Sequence, residues 1–250
     1  MIFCHGYKGY KDWGAWNLVA DAFHASGFNF LKFNFSYNGG SRAQLIDFPD
    51  LESFGNNNYS TELDDLNKVV EWVSSGAERR INAGGTVFLI GHSRGGAIAV
   101  LGAAENDAVQ GLASWNGVSD FDARFPIGEE LKRWKKTGVY HVENKRTSQQ
   151  MPHYYQFFKD FQKNNDRLDV RRAARSLDCP YLILQGSEDE AVPFFEAMRL
   201  KKWALYAQLE IISGANHTLG SHQPFEEKTL PAWLAETVAA TSTFFQKIPA

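Results

Sequence analysis

Val87-Phe88-Leu89-Ile90-Gly91-His92-Ser93-Arg94-Gly95-Gly96-Ala97 is the stretch that decides the fold. Its first four residues are apolar without alternation, the pattern of a strand covered on both faces. The small residues after Ser93, through Ala104, start a helix that can pack closely on a sheet. Between the two, G-x-S-x-G spacing sets Ser93 at a sharp strand-to-helix turn, where glycines two before and two after relieve crowding. The helix start also aims unpaired N–H groups and a partial positive charge at the serine oxygen. Composition alone would yield G-x-S-x-G in roughly one chain in ten of this size, so the strand before it and the helix after it carry the specificity. The plain alternative is a glycine-rich turn with a solvent-facing serine.

Working outward, short apolar runs alternate with helix-patterned stretches. Strands are expected at Ile2 to Cys4, Phe28 to Tyr37, Thr86 to Ile90, Gly111 to Trp115, Tyr181 to Gln185 and Gln208 to Ile212. Helices are expected at Trp13 to Ser26, Ser60 to Val73, Ser93 to Glu105, Phe194 to Trp203 and Pro231 to Phe245. This order predicts an α/β fold, a mainly parallel sheet flanked by helices. Two stretches break the alternation. Asn38 to Tyr59 reads as a long loop whose Phe48 and Phe54 fold back onto the body. Residues 119–175, charged and rich in aromatics, read as an inserted helical lid within a single domain spanning 1–250.

A serine hydroxyl is a weak nucleophile at neutral pH and needs a base and a group that orients that base. Leu182-Ile183-Leu184-Gln185-Gly186-Ser187-Glu188-Asp189-Glu190-Ala191-Val192-Pro193 is an apolar strand, an acidic turn and a proline suited to a helix start. Asp189 is the expected acid; Glu188, Glu190 and Asp120 compete with it, and the cluster would also favour the next helix N-terminus. Leu209 to Ile212 runs into Ser213-Gly214-Ala215-Asn216-His217, which makes His217 the expected base, with His222 its near rival. The chain order serine, acid, histidine suits one known arrangement of such a triad. For the oxyanion, the backbone N–H of Arg94 is one expected donor, and that of Tyr7, after Ile2-Phe3-Cys4-His5-Gly6, is the second.

Composition narrows the remaining possibilities. The 250 residues suit one α/β domain, and a net charge of −3 gives no reason to invoke nucleic acid. Two cysteines, Cys4 and Cys179, form neither a disulfide framework nor a Cys-x-x-Cys pair, and both are expected to be buried thiols. No run approaches the roughly 20 apolar residues of a membrane span. The opening Met1 to His5 is too short and polar for a signal peptide, so a soluble, cytoplasmic chain without membrane contact is expected.

His5-Gly6, the Gly91 to Gly96 turn, Gly186 to Pro193 and Gly214 to His217 together resemble the α/β-hydrolase superfamily, nearest its dienelactone-hydrolase-like and feruloyl-esterase-like branch. The resemblance implies an α/β-hydrolase fold and hydrolysis of a small-molecule ester with no cofactor and no metal. Dienelactone hydrolases proper use cysteine at the elbow, whereas this chain has Ser93, which favours ester hydrolysis. The same constellation serves thioesters or peptides, and a non-catalytic binding protein could keep the fold. Relatives usually carry two strands before the one ending in His-Gly; here either the start is set too far downstream or those strands are absent, and their absence would leave Phe28 to Tyr37 as an aromatic edge inviting a homodimer. In the lid, Trp134, Tyr140, Met151, Tyr154, Tyr155, Phe157, Phe158 and Phe161 are candidates for either pocket lining or lid core. The basic run around Lys132 to Lys136, with Lys145 and Arg146, reads first as a solvated face and second as an attractor of anionic substrate.

Overall fold

The computed structural model describes residues 1–41, 43–44, 46–76 and 85–249. In chain order the first elements are β1 (Ile2–Cys4), α1 (Trp16–Ala25), β2 (Leu31–Lys32), α2 (Leu51–Gly55), α3 (Tyr59–Ser74), β3 (Val87–His92), α4 (Arg94–Glu105) and β4 (Val109–Trp115). A 3₁₀ turn at Asp122–Arg124 leads to α5 (Gly128–Thr137), β5 (Val139–Asn144), β6 (Gln149–Tyr154), α6 (Gln156–Lys163) and α7 (Val170–Arg175). The chain then forms β7 (Tyr181–Gly186), α8 (Phe194–Trp203), β8 (Ala207–Ile212) and α9 (Ala232–Gln246).

Six strands pair in the order β2-β1-β3-β4-β7-β8, and every pairing between neighbours is parallel. Period-2 alternation sends successive side chains to opposite faces. Ile2, Cys4, Leu89, Leu112 and Ile183 enter a core shared with α3, α4, α7 and α8. Phe3, Phe88, Ile90, Trp115, Leu182 and Leu184 enter the other, shared with α1 and α9. Both faces are therefore covered, the reason the strands read as unbroken apolar runs. Side-chain caps start the helices where the sequence supplies them: Asn58 Oδ1 accepts from Thr61 N at 2.8 Å for α3, and Asp169 does the same from Arg172 N at 3.0 Å for α7.

Three expectations are corrected. The strand expected over Phe28 to Tyr37 is laddered only at Leu31–Lys32, the edge strand β2. Phe28 and Phe30 pack onto one core and Phe33 and Phe35 onto the other, so the edge ladder is two residues long. The segment 119–175 is not all helical: β5 and β6 form an antiparallel hairpin, with Tyr140 opposite His153 and Val142 opposite Met151. Polar residues stand among the apolar ones in both strands and Pro152 lies within the second, so neither shows clean alternation. Cys179 is half-buried, whereas Cys4 is fully buried as expected.

The Asn38 to Tyr59 stretch, of which residues 42 and 45 lie outside the described residues, does fold back. Phe48 and Phe54 pack with Tyr10 and Met151 in a small third core. Its contacts tie that stretch to the 119–175 segment: Asn58 Nδ2 donates to Gln156 Oε1 at 3.0 Å, Gln149 Nε2 to the Phe48 carbonyl at 2.9 Å, and Arg146 pairs with Asp47. Among the described residues, no helix is long and apolar enough to cross a membrane.

Candidate active site

The turn at Ser93 is as tight as its glycines imply. Ser93 sits at φ 57°, ψ −122°, a conformation that L-residues avoid and that active sites often hold. A Cβ on Gly91 would lie 2.1 Å from the Gly95 carbonyl oxygen, and one on Gly95 would lie 2.2 Å from that of Cys4. Both positions therefore exclude any side chain. The serine is pinned from its backbone, with Ser93 N donating to the Trp115 carbonyl at 2.9 Å and its own carbonyl accepting from Val118 N at 3.1 Å.

The loops after β7 and β8 bring the expected acid and base to this serine. Ser93 Oγ lies 3.0 Å from His217 Nε2, and His217 Nδ1–H donates to Asp189 Oδ2 at 2.8 Å. The Asp189 side chain is 1% exposed, and its Oδ1 accepts from the N–H groups of Ala191 and Val192, each at 2.8 Å. Burial alone raises the Asp189 pKa; the His217 hydrogen bond and charge, with those two N–H groups, outweigh it and hold the carboxyl below its ordinary value. The competitors lie apart: Glu188 and Glu190 are solvent-exposed, Asp120 pairs with Arg199 and His222 with Glu227.

The two expected oxyanion donors belong to residues at the same place. Tyr7 and Arg94 line one cavity with Ser93 and His217, and a Cβ on Gly6 would come within 2.9 Å of Ser93 Cβ. The His5-Gly6-Tyr7 backbone thus passes directly against the serine. That cavity holds about 580 Å³. Trp134, Tyr140 and Phe157 of the 119–175 segment line it, whereas Met151, Tyr154, Tyr155, Phe158 and Phe161 do not. Lys132, Arg133, Lys135 and Lys136 are exposed on α5, the solvated face of the first reading. A larger hollow of about 890 Å³ lies against β2 and the ends of α1 and α9, away from Ser93.

Several residues at the site escaped the sequence reading. Asn116, fully buried at φ 50°, accepts from Gly186 N at 2.7 Å and donates to the His217 and Asn216 carbonyls at 2.8 and 3.1 Å. His92 Nε2–H donates to the His217 carbonyl at 2.8 Å; burial lowers its pKa to about 3, so the ring stays neutral. Tyr7 Oη donates to His153 Nε2 at 2.9 Å, and burial lowers the His153 pKa to about 4. The Arg94 side chain pairs with buried Glu62, Nη1 to Oε1 at 3.2 Å. Spacing gave no signal for these four, because each partner is distant in sequence.

A search of curated proteins finds no match to this chain. Solved structures do resemble it. Est1E from Butyrivibrio proteoclasticus, with ferulic acid bound, superposes with TM-score 0.74 at 18% identity, covering 99% of this chain and 88% of that one. A monoacylglycerol lipase from Paleococcus ferrophilus superposes with TM-score 0.70 at 15% identity, covering 99% and 94%. An esterase domain of a Rhodothermus marinus protein gives 0.63 at 18%, covering 98% and 85%. At such identities the likeness is one of fold. A family model described as the alpha/beta hydrolase family matches residues 1–227. By that match over most of its length, the chain belongs to the alpha/beta hydrolase family.

Proposed function

We propose that this protein is a serine hydrolase that cleaves a carboxylic ester through an acyl-serine intermediate. The observation that carries the reading is the unbroken line from Ser93 Oγ to His217 Nε2 at 3.0 Å and from His217 Nδ1 to Asp189 at 2.8 Å, opening on a cavity of about 580 Å³. His217 takes the Ser93 proton as Oγ attacks the ester carbonyl, and Asp189 opposes the charge that forms on the imidazole. The N–H groups of Tyr7 and Arg94 hold the oxyanion. The alcohol leaves with the proton from His217; a water deprotonated by the same ring then attacks the acyl-serine, and the free acid departs.

The reading places residues 119–175 as a lid, supported by the contribution of Trp134, Tyr140, Val142, His153 and Phe157 to the cavity wall. Within the family, a serine rather than a cysteine at position 93 supports the feruloyl-esterase-like side of the branch over dienelactone chemistry. A series of p-nitrophenyl acyl esters of increasing length, run with the Ser93→Ala protein in parallel, tests the proposal. Ester cleavage that falls by at least about 10³-fold in the variant is expected. A folded wild-type protein inert toward every ester in the series would refute it.

A further inference from the structure

We propose that the cavity beside Ser93 accepts an ester that carries a carboxylate, and that the Arg94 side chain selects it; the inference rests on the serine-hydrolase reading above. The first observation is the sign of the wall. Lys8, Arg94 and Arg124 line the cavity, and among the described residues no aspartate or glutamate does. Arg94 is backed by Glu62 and Arg124 by Glu196, both nearly buried, whereas Lys8 Nζ donates to the Glu143 carbonyl oxygen at 3.3 Å and lies 5.2 Å from the Tyr7 ring centroid. His153, neutral because burial lowers its pKa to about 4, adds no charge near pH 7. A cleft walled by one sign of charge and low-dielectric rings concentrates the opposite charge.

The second observation is how the guanidinium is held. Its carbon lies 4.4 Å from the Tyr7 ring centroid, 5.1 Å from that of Tyr59 and 5.7 Å from that of Phe157, all three rings being part of the cavity wall. The Arg94 side chain is 14% exposed. A guanidinium has five N–H donors in a planar fork. Among the described residues, its one hydrogen bond is to Glu62 Oε1. Glu62 Oε1 also accepts from Asn57 Nδ2 at 2.6 Å, which anchors the carboxylate from behind. A purely structural buried pair is favourable when its remaining donors and lone pairs are satisfied. Here Glu62 Oε2 is buried without a partner and most of the Arg94 fork is unused. A rigid fork stacked on aromatic rings next to the reacting serine matches the bidentate geometry of a carboxylate better than that of a single neutral oxygen.

The test uses the full chain and pairs of esters that differ in one carboxylate. Monomethyl adipate is compared with methyl hexanoate, placing the charge on the acid side, and 4-acetoxybutyrate with butyl acetate, placing it on the alcohol side. Hydrolysis is followed by proton release. At least one charged ester is expected to exceed its neutral counterpart in kcat/KM by about tenfold or more, the scale of one charge-assisted hydrogen-bond pair. In the double variant Arg94→Met/Glu62→Gln, which removes the charge without stranding its buried partner, that ratio is expected to fall about tenfold, whatever the absolute rate. Neutral esters preferred in both pairs, or a ratio unchanged in the double variant, would overturn the proposal. Should the double variant not fold, the wild-type preference decides alone. Ser93-dependent cleavage of p-nitrophenyl acetate separates the two levels: if it is present without a charged-ester preference, only the carboxylate proposal falls. If it is absent, the hydrolase reading falls and this one with it.

Discussion

Asn116 Nδ2 donates to the carbonyl oxygen of His217 at 2.8 Å, and this one side chain spans both loops of the site. Its Oδ1 accepts from Gly186 N, at the end of the strand that leads to Asp189. Losing the second bond strands the buried Gly186 N–H, at about 1–3 kcal/mol, whereas the His217 carbonyl keeps its donor from His92. Asn116→Asp keeps the acceptor for Gly186 and loses the donors to His217. It is expected to lower kcat about 10–100-fold with little change in KM, because a displaced base costs rate rather than binding. Asn116→Ala, which strands the Gly186 N–H, should lower stability by about 1–3 kcal/mol, as read by urea unfolding. Equal loss of kcat/KM through KM alone would contradict the positioning role.

In the proposed mechanism Asp189 contributes orientation and charge to His217. Asp189→Asn is expected to reduce kcat by about 10³–10⁴-fold while the fold persists, because the amide presents the wrong partner to Nδ1–H. Steady-state kinetics on any ester cleaved by the wild type, with circular dichroism as the check on folding, reads this directly.

The turn glycines are steric necessities. Gly91→Ala would drive a methyl into the Gly95 backbone at 2.1 Å, where no flexible side chain can give way. A loss above about 3 kcal/mol, or failure to obtain soluble protein, is expected. Gly27→Ala is the contrast: its φ is 88° but the added methyl meets nothing within 4 Å. Only the left-handed strain of about 1–2 kcal/mol applies there, readable as a small shift in Tm.

Stability should fall steeply in mild acid. Burial first, offset in part by hydrogen bonds to backbone carbonyls, lowers the pKa of His5 and His153 to about 4 and that of His92 to about 3. Below the ordinary value of 6.5 the unfolded chain binds protons that the folded chain refuses. The stability is thus fully present above pH 6.5 and is lost as pH falls toward 4. Three such groups give a slope of up to about 4 kcal/mol per pH unit near pH 5. His92→Gln keeps a donor for the His217 carbonyl and should flatten the slope by about 1.4 kcal/mol per unit in urea unfolding measured across pH 4–7. An unchanged slope would mean that His92 titrates normally in the folded protein.

What was legible in advance was what neighbouring residues encode. Apolar runs covered on both faces announced the strands β1, β3, β4 and β7, and the glycines around Ser93 announced a turn that no other residue type can make. Ser93, Asp189 and His217 each follow a strand, so a parallel sheet carries all three to its same end, and their convergence follows once the sheet is granted. The tertiary structure alone decided what joins distant segments: Asn116 to His217, Arg94 to Glu62, and Tyr7 to His153 across 146 residues. It also decided that Phe28 to Phe35 turn inward beside a two-residue β2 and that polar strands pair as the β5–β6 hairpin. Local spacing sets backbone turns and side-chain faces, whereas a hydrogen bond or ion pair between remote residues depends on strand order and register, which no short stretch of sequence contains.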